Sequence, residues 1–243
     1  MKLQGKTAVV TGGGTGIGLG IAQALAAEGC RVLIGGRREE KLRAAAAAWK
    51  GESKLLVQVV DVASRSSVEA FFIAANKELG RIDILVNCAG VNIKNRKMAD
   101  MRPEQWDEVL AANASGAYYC TYAVLPQMRE RKDGLIINVS SISGKRASQL
   151  GGVAYSASKF AMSALSTCVG NEEAANGIRV TNIYPGEVNT PILDNRPVPV
   201  SAEHKARILQ PDDVGQIAVA IACLPPRANV PEIIIKPTWQ EYM

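Results

Sequence analysis

The stretch that decides the fold is Thr11-Gly12-Gly13-Gly14-Thr15-Gly16-Ile17-Gly18. Residues 7–10 before it are apolar and β-branched, which indicates a buried strand. Apolar residues recur at helical spacing over residues 17–28, which predicts a helix directly after the glycines. A glycine-rich turn between a strand and a helix directs backbone N–H groups and the positive end of the helix dipole at one place. Such a place suits a phosphate group.

The glycine spacing narrows the type of phosphate site. Gly12, Gly16 and Gly18 follow a G-x3-G-x-G pattern, which is neither the common G-x-G-x-x-G fingerprint nor the P-loop. The alternative is a glycine-rich turn that binds no ligand, but its place at the start of an alternating chain favours a dinucleotide. We therefore predict that the cofactor contacts Gly12, Gly14, Thr15, Gly16, Ile17 and Gly18.

Composition and charge exclude several functions. The 243 residues suffice for one large core, and no change in composition marks a boundary, so we predict a single domain over residues 1–243. The net charge of +5 is spread along the chain without interleaved aromatic residues, which does not suggest nucleic-acid binding. No apolar run reaches 18 residues and the chain opens directly into a strand, so we expect neither a membrane span nor a signal peptide.

The cysteines and the single histidine exclude two kinds of stabilising site. Five cysteines, an odd number at wide spacings, predict buried reduced thiols in a cytoplasmic protein rather than disulfides. With His204 as the one histidine, we predict no metal site.

Beyond the first unit, strands and helices alternate. Further strands are predicted at residues 31–34, 54–60, 82–87, 135–140, 178–184 and 232–236. Helices are predicted at residues 38–49, 66–79, 103–131, 153–176 and 211–224, the second beginning with a capping box at Ser66. This alternation predicts an α/β fold of the Rossmann type, a doubly wound parallel sheet with helices on both faces. The proline-rich segment 186–210 breaks the alternation and is predicted to be a substrate-binding loop.

Ligands of such sheets bind beyond the carboxyl ends of the strands. Arg37 and Arg38 follow the second strand, where NAD-binding proteins tend to place an acid and where an arginine favours a 2′-phosphate. This predicts NADP(H) in preference to NAD(H), the alternative being two solvated arginines at a helix start. The ends of the next two strands supply further predicted cofactor contacts: Asp61, Val62, Asn87, Ala89 and Gly90.

Residues that could carry out a reaction follow the fifth strand. Ser141 lies at the strand end, and Tyr155 and Lys159 share one face of the next predicted helix. A nearby ammonium lowers the pKa of a phenol, which suits a general acid or base for interconverting an alcohol and a carbonyl. A serine hydroxyl can hold the substrate oxygen, and the hydride must come from a cofactor. The alternative is a surface lysine beside a tyrosine at the edge of the core.

Together these motifs resemble the short-chain dehydrogenase/reductase family, in its compact single-domain branch, over almost the whole chain. The 11–18 turn matches the cofactor turn of that family, and 87–90 matches its Asn-Asn-Ala-Gly motif with Cys88 in place of the second Asn. Ser141, Tyr155 and Lys159 match its catalytic set, which Asn113 completes. The segment that holds the nicotinamide carboxamide is matched by Pro185, Gly186, Val188 and Thr190.

The resemblance implies an enzyme that interconverts a secondary alcohol and a ketone. Ser141, rather than its neighbour Ser140, polarises the substrate oxygen, and Tyr155 transfers the proton. Lys159 lowers the pKa of Tyr155 and binds the nicotinamide ribose, and Asn113 links this relay to water. The resemblance also implies a homotetramer, or a homodimer, formed through the helices predicted at 103–131 and 153–176. A non-catalytic nucleotide sensor or scaffold of the same fold is the alternative.

Basic residues near the expected cleft give a hypothesis about the substrate. They follow the fourth and fifth strands and favour an acidic substrate such as a sugar acid, a hydroxy acid or a 3-ketoacyl thioester. The alternative is ordinary solvated charge on loops. The residues are Lys94, Arg96, Lys97, Lys145 and Arg146.

Overall fold

The computed structural model describes residues 1–241, so Tyr242 and Met243 of the predicted domain lie outside it. The strands are β1 (Thr7–Thr11), β2 (Arg31–Gly36), β3 (Leu56–Val59), β4 (Ile84–Asn87), β5 (Gly134–Val139), β6 (Ile178–Pro185) and β7 (Glu232–Ile235). The helices are α1 (Gly16–Ala27), α2 (Glu39–Ala48), α3 (Arg65–Leu79), α4 (Pro103–Leu110), α5 (Gly116–Arg131), α6 (Val153–Glu173), α7 (Ala202–Arg207) and α8 (Pro211–Ala222).

The strands form one sheet in the order β3-β2-β1-β4-β5-β6-β7, and all of them are parallel. The order reverses at β1, which pairs with β2 on one side and β4 on the other. The predicted doubly wound fold is therefore confirmed. A crevice opens at such a reversal, beyond the carboxyl ends of the strands, and this places the glycine turn at the centre of the ligand-binding edge.

Two apolar layers cover the sheet, one on each face. Ala8 and Val10 of β1 pack with Ile21 of α1, whereas Val9 packs with Phe71 of α3 on the opposite face. Successive side chains of a strand point to opposite faces, so a strand buried on both sides is apolar at every position. This is why residues 7–10 form a continuous apolar run. In residues 1–241 no helix has both the length and the apolar character that crossing a membrane requires.

Three local predictions are wrong. Ser64, not Ser66, caps α3, because its hydroxyl accepts a hydrogen bond from the backbone N–H of Ser67 at 3.3 Å. The predicted helix 103–131 is interrupted by a π-helical turn, Ala111–Ser115, that separates α4 from α5. Cys168 is exposed, although its thiol is free like the other four. The π turn matters most, since turns of this kind occur mainly at functional sites.

Candidate active site

The glycine turn is closely packed against the end of β4. Gly12 has φ +68°, and a Cβ there would lie 2.8 Å from the backbone of Ala89. Only a residue without a side chain fits that approach. The Thr11 hydroxyl accepts hydrogen bonds from the N–H groups of Cys88 (3.2 Å) and Ala89 (3.3 Å), which ties the ends of β1 and β4 together. The sequence analysis did not assign this role to Thr11.

The N-terminus of α1 is suited to an anion. Thr15 is its N-cap residue but makes no side-chain capping hydrogen bond within residues 1–241, and the first turn contains no acid. By contrast, Ser64 caps the start of α3, and a capping box formed by Gln210 and Asp213 caps the start of α8. The first N–H groups of a helix have no partner inside the helix. Those of α1 are thus suited to a cofactor pyrophosphate, whose oxygens would accept these hydrogen bonds.

Arg37 lies exposed beyond β2, and its side chain makes no hydrogen bond or ion pair within the described part of the chain. The acid that follows it, Glu39, is paired with Arg43 at 2.8 Å, so that carboxylate is already engaged. Arg38 is also exposed. Asp61 is half-buried and its Oδ1 accepts a hydrogen bond from the Ala63 N–H at 3.0 Å. An arginine is therefore the available charged side chain at the end of β2.

Two of the predicted cofactor residues have side chains packed into the protein. Val62 is 6% exposed and lies against Gly116, where a Cβ would meet it at 2.8 Å. The amide nitrogen of Asn87 donates to Thr121 (3.2 Å) and to Asn138 (2.8 Å) inside the sheet. The Asn87 Oδ1 is buried and makes no hydrogen bond within residues 1–241, and the contact of Asn87 with the cofactor stays a prediction.

The segment after β6 lies against the glycine turn. A Cβ on Gly16 would lie 3.1 Å from Thr190 Cβ, so these two predicted cofactor residues are direct neighbours. The Gly186 N–H donates to Ile235 O at 2.7 Å, and Val188 forms an isolated parallel bridge with Leu209. The predicted carboxamide segment, which begins at Pro185, and the predicted pyrophosphate turn therefore face one groove.

The two serines after β5 have different surroundings. Ser140 is buried, and its hydroxyl donates to the carbonyl of Lys159 at 3.2 Å. Ser141 is half-buried and accepts a hydrogen bond from the Ser143 N–H at 3.1 Å, and its side chain acts on the phenol of Tyr155, whose pKa it lowers. Ser140 thus holds β5 to α6, whereas Ser141 faces the phenol. This difference supports Ser141 over Ser140 as the substrate-binding hydroxyl.

Tyr155 and Lys159 are neighbours on α6, with Lys159 Nζ 5.6 Å from the centre of the Tyr155 ring. Lys159 is 4% exposed and donates to Val139 O at 2.9 Å, and burial lowers its pKa to about 8. Burial also raises the pKa of Tyr155; the Ser141 hydrogen bond and the charge of Arg96 oppose this only in part. Burial therefore outweighs the groups that lower the pKa of Tyr155, and the lowering by Lys159 that the resemblance implies stays a prediction.

Asn113 lies in the π turn with a fully buried side chain. Its Oδ1 accepts from the Val91 N–H at 2.7 Å, and its Nδ2 donates to Val91 O (2.9 Å) and to Ser158 Oγ (3.0 Å). Ser158 in turn donates to the Tyr155 carbonyl at 2.7 Å. The Asn113 side chain thus fixes the loop after β4 to α6. The predicted contact of Asn113 with water would then be made by its main chain.

Charged side chains hold the segment 186–210 in place. Glu187 Oε2 accepts from Arg196 Nη2 at 3.0 Å and lies 2.7 Å from His204 Nε2. Glu187 therefore pairs with both Arg196 and His204, the one histidine of the chain. Lys145 pairs with Glu232 at the β7 edge, so this predicted cleft residue is engaged elsewhere.

The glycine turn beside a serine, a tyrosine and a lysine defines an oxidoreductase that works with a dinucleotide. Comparison with known proteins agrees. The short chain dehydrogenase family profile matches residues 6–198. An uncharacterized oxidoreductase of Staphylococcus saprophyticus is 35% identical over 239 residues, covering 98% of this chain and 99% of that protein.

Two solved structures extend the comparison. Serine dehydrogenase in its closed form with NADP+ has a TM-score of 0.88 and 29% identity, and the match covers 97% of this chain and 96% of that one. The 3-ketoacyl-(acyl-carrier-protein) reductase of Brucella melitensis with NADH has a TM-score of 0.87 and 28% identity, covering 97% and 98%. The chain belongs to the short-chain dehydrogenase family. It is an oxidoreductase that uses a nicotinamide cofactor and acts on a small molecule.

Proposed function

We propose that this protein is an NADP(H)-dependent oxidoreductase of the CH–OH class, which interconverts a secondary alcohol and a ketone. The observation that carries the proposal is the position of the Tyr155–Lys159 pair: Lys159 Nζ lies 5.6 Å from the centre of the Tyr155 ring and donates to the carbonyl of Val139, the last residue of β5, two positions before Ser141. The non-catalytic alternative is not favoured, because Ser141, Tyr155, Lys159 and Asn113 are all present and the family relative is an oxidoreductase.

Each side chain has a distinct part in the reaction. Ser141 donates a hydrogen bond to the substrate oxygen, and Tyr155 gives that oxygen its proton in reduction or removes it in oxidation. Lys159 and the glycine turn bind the cofactor, which supplies or accepts the hydride when bound.

The NADP(H) preference rests on Arg37, the exposed arginine beyond β2 whose neighbour Glu39 is engaged by Arg43. A guanidinium recognises a phosphate with paired hydrogen bonds, and NADP(H) carries the 2′-phosphate that NAD(H) lacks. We expect Arg37→Ala to weaken NADPH binding by about tenfold, a loss typical of one charge-assisted hydrogen bond, and to leave NADH binding unchanged. Equal losses for both cofactors contradict this assignment.

An acidic substrate and a self-associating surface complete the proposal. The two structural neighbours are named for serine and for a 3-ketoacyl group, which supports a hydroxy acid, a sugar acid or a 3-ketoacyl thioester as the substrate. Tyr118 and Tyr122 are exposed on α5, which supports a homotetramer or homodimer through α5 and α6. We place the enzyme in the cytoplasm, with 186–210 as its substrate-binding loop.

Oxidation of NADPH with a panel of ketones and keto acids, followed by absorbance, tests the proposed function. Tyr155→Phe is expected to lower turnover by about 10²- to 10⁴-fold, the usual contribution of a general acid, while NADPH affinity changes little. Full turnover in Tyr155→Phe, or no turnover by the wild type with any member of the panel, contradicts the proposal.

A further inference from the structure

A large cavity lies on the side of α6 next to the face that carries Tyr155 and Lys159. It has a volume of about 1310 Å³, and Val153, Ala157 and Phe160 of α6 form one wall. The other walls come from the loops around Met98, Leu150 and Val198. Ligand pockets of this size are lined mainly by apolar groups with a few placed polar ones. The lining therefore suits the apolar part of a substrate.

Arg96 is the exception in this lining, because it is charged and only 8% exposed. Its Nε donates to Ile93 O at 2.8 Å, one Nη donates to Leu150 O, and the other donates to Asn195 O at 2.9 Å. No carboxylate in residues 1–241 forms an ion pair with it. A guanidinium has five N–H donors, so three carbonyls leave two donors unused.

A buried charge without a counter-ion is costly, and proteins normally pair it. The second arginine of the cavity, Arg196, shows the ordinary solution: its guanidinium is paired with Glu187 at 3.0 Å. A second polar group also lacks a partner: the buried hydroxyl of Ser156, a lining residue, makes no hydrogen bond within the described residues. The cavity wall thus contains a buried cation, Arg96, that has no carboxylate partner in residues 1–241, and a buried hydroxyl, Ser156, that has no hydrogen-bond partner there.

We propose that Arg96 binds the carboxylate of the substrate and that the cavity holds its apolar remainder, so that the substrate is a keto acid or hydroxy acid with an apolar chain. This proposal deepens the proposed function and rests on it for the reaction. A sugar acid fits less well, because its hydroxyls would face apolar walls. A thioester fits less well, because its carbonyl takes the place of the carboxylate and offers Arg96 no negative charge.

Arg96 also connects the anion to the reacting end of the site. It holds Asn195 within the loop 186–210, and Asn195 Nδ2 donates in turn to Asn92 O at 3.0 Å. The charge of Arg96 reaches Tyr155, whose pKa it lowers. An anion bound at Arg96 therefore lies in a cavity walled in part by Ser156 and Ala157 of α6, the helix that carries Tyr155, and the same arginine holds Asn195 of the segment 186–210.

Binding of octanoate and of octanamide to the NADPH-loaded protein, by calorimetry, tests the proposal without requiring turnover. The two probes share their chain and differ in charge. We expect octanoate to bind about 10- to 100-fold more tightly, the range for a hydrogen bond to a charged group. We expect Arg96→Met to abolish that preference and Arg96→Lys to restore part of it.

Arg179→Met is the matched control, because Arg179 is a half-buried arginine that donates to Leu224 O at the opposite edge of the sheet. It should keep the preference for octanoate. Equal affinities of the wild type for the two probes overturn the proposal even if Arg96→Met fails to fold, and so does a preference that survives in a folded Arg96→Met protein. If the protein turns over ketones but shows no preference for octanoate, the proposed function stands and the assignment of Arg96 fails. If it prefers octanoate but shows no turnover that depends on Tyr155, the assignment of Arg96 stands and the proposed function fails.

Discussion

The glycine turn between β1 and α1 presents backbone and small residues; we refer to this part of the groove as the cofactor side. Gly12 approaches Ala89 so closely that a Cβ would lie 2.8 Å away, and Thr15 leaves the start of α1 without a side-chain cap. The side beyond β4 to β6, the substrate side, is lined by buried polar side chains. Arg96 and Lys159 are 8% and 4% exposed there.

The two sides therefore respond to substitution through different physics. On the cofactor side, shape decides, because the backbone must come close to the ligand and any added atom collides. On the substrate side, electrostatics decide, because charges held out of water act strongly on their neighbours and cost stability. The following substitutions test whether this division holds.

Of the substitutions that compare the two sides, Ser141→Ala on the substrate side is expected to have the largest effect. Removing one donor to a developing oxyanion typically lowers turnover by about 10²- to 10³-fold, and Ser141 is the hydroxyl that faces Tyr155. Ser140→Ala is the matched control, since Ser140 donates to the Lys159 carbonyl instead. It should lower the free energy of unfolding by about 1 kcal/mol and affect turnover far less.

Steady-state kinetics and urea unfolding of both serine variants separate these outcomes. If Ser140→Ala loses more turnover than Ser141→Ala, the assignment of the two serines is reversed. If both lose turnover equally, the substrate side responds to packing rather than to the individual hydroxyl, and the division between the two sides fails.

The next effect is expected for Gly12→Ala on the cofactor side. The added Cβ meets backbone at 2.8 Å at a residue with φ +68°, so both overpacking and backbone strain act. We expect the free energy of unfolding to fall by about 3 kcal/mol and NADPH binding to weaken. Gly36→Ala is the control, because its Cβ would meet only a side-chain methyl of Leu42 at 3.6 Å. Similar losses in both variants, by urea unfolding, argue against a steric origin.

This division also explains what could be predicted from the sequence. The cofactor side follows from local pattern, because the glycine turn, its strand and its helix are consecutive in the chain. The resemblance then located Ser141, Tyr155 and Lys159. The pKa shifts of these groups could not be predicted from the sequence. Burial raises the pKa of Tyr155, and burial depends on packing against segments that are distant in the chain.

Arg96 illustrates the same limit more sharply. In the sequence it is one of five basic loop residues, and nothing local distinguishes it from Lys94 or Lys97, which are exposed. Its burial arises because Ile93, Leu150 and Asn195 converge on it from three loops. The role of Thr11 was not predicted for a similar reason, since its hydroxyl joins β1 to Cys88 and Ala89, which are far from it in the chain.

The smallest predicted effect concerns the free energy of unfolding that the protein loses by burying the Lys159 ammonium on the substrate side. Burial lowers the pKa of Lys159 from 10.5 to about 8, so the folded protein binds fewer protons than the unfolded chain between these pH values, and stability attributable to Lys159 rises with pH. Lys159→Met should therefore be more stable than the wild type at pH 7. That advantage should shrink by about 2 kcal/mol at pH 10 in urea unfolding. Lys50→Met, at an exposed lysine, is the control for the loss of one positive charge. An advantage of Lys159→Met that grows with pH would mean that the buried ammonium stabilises the fold.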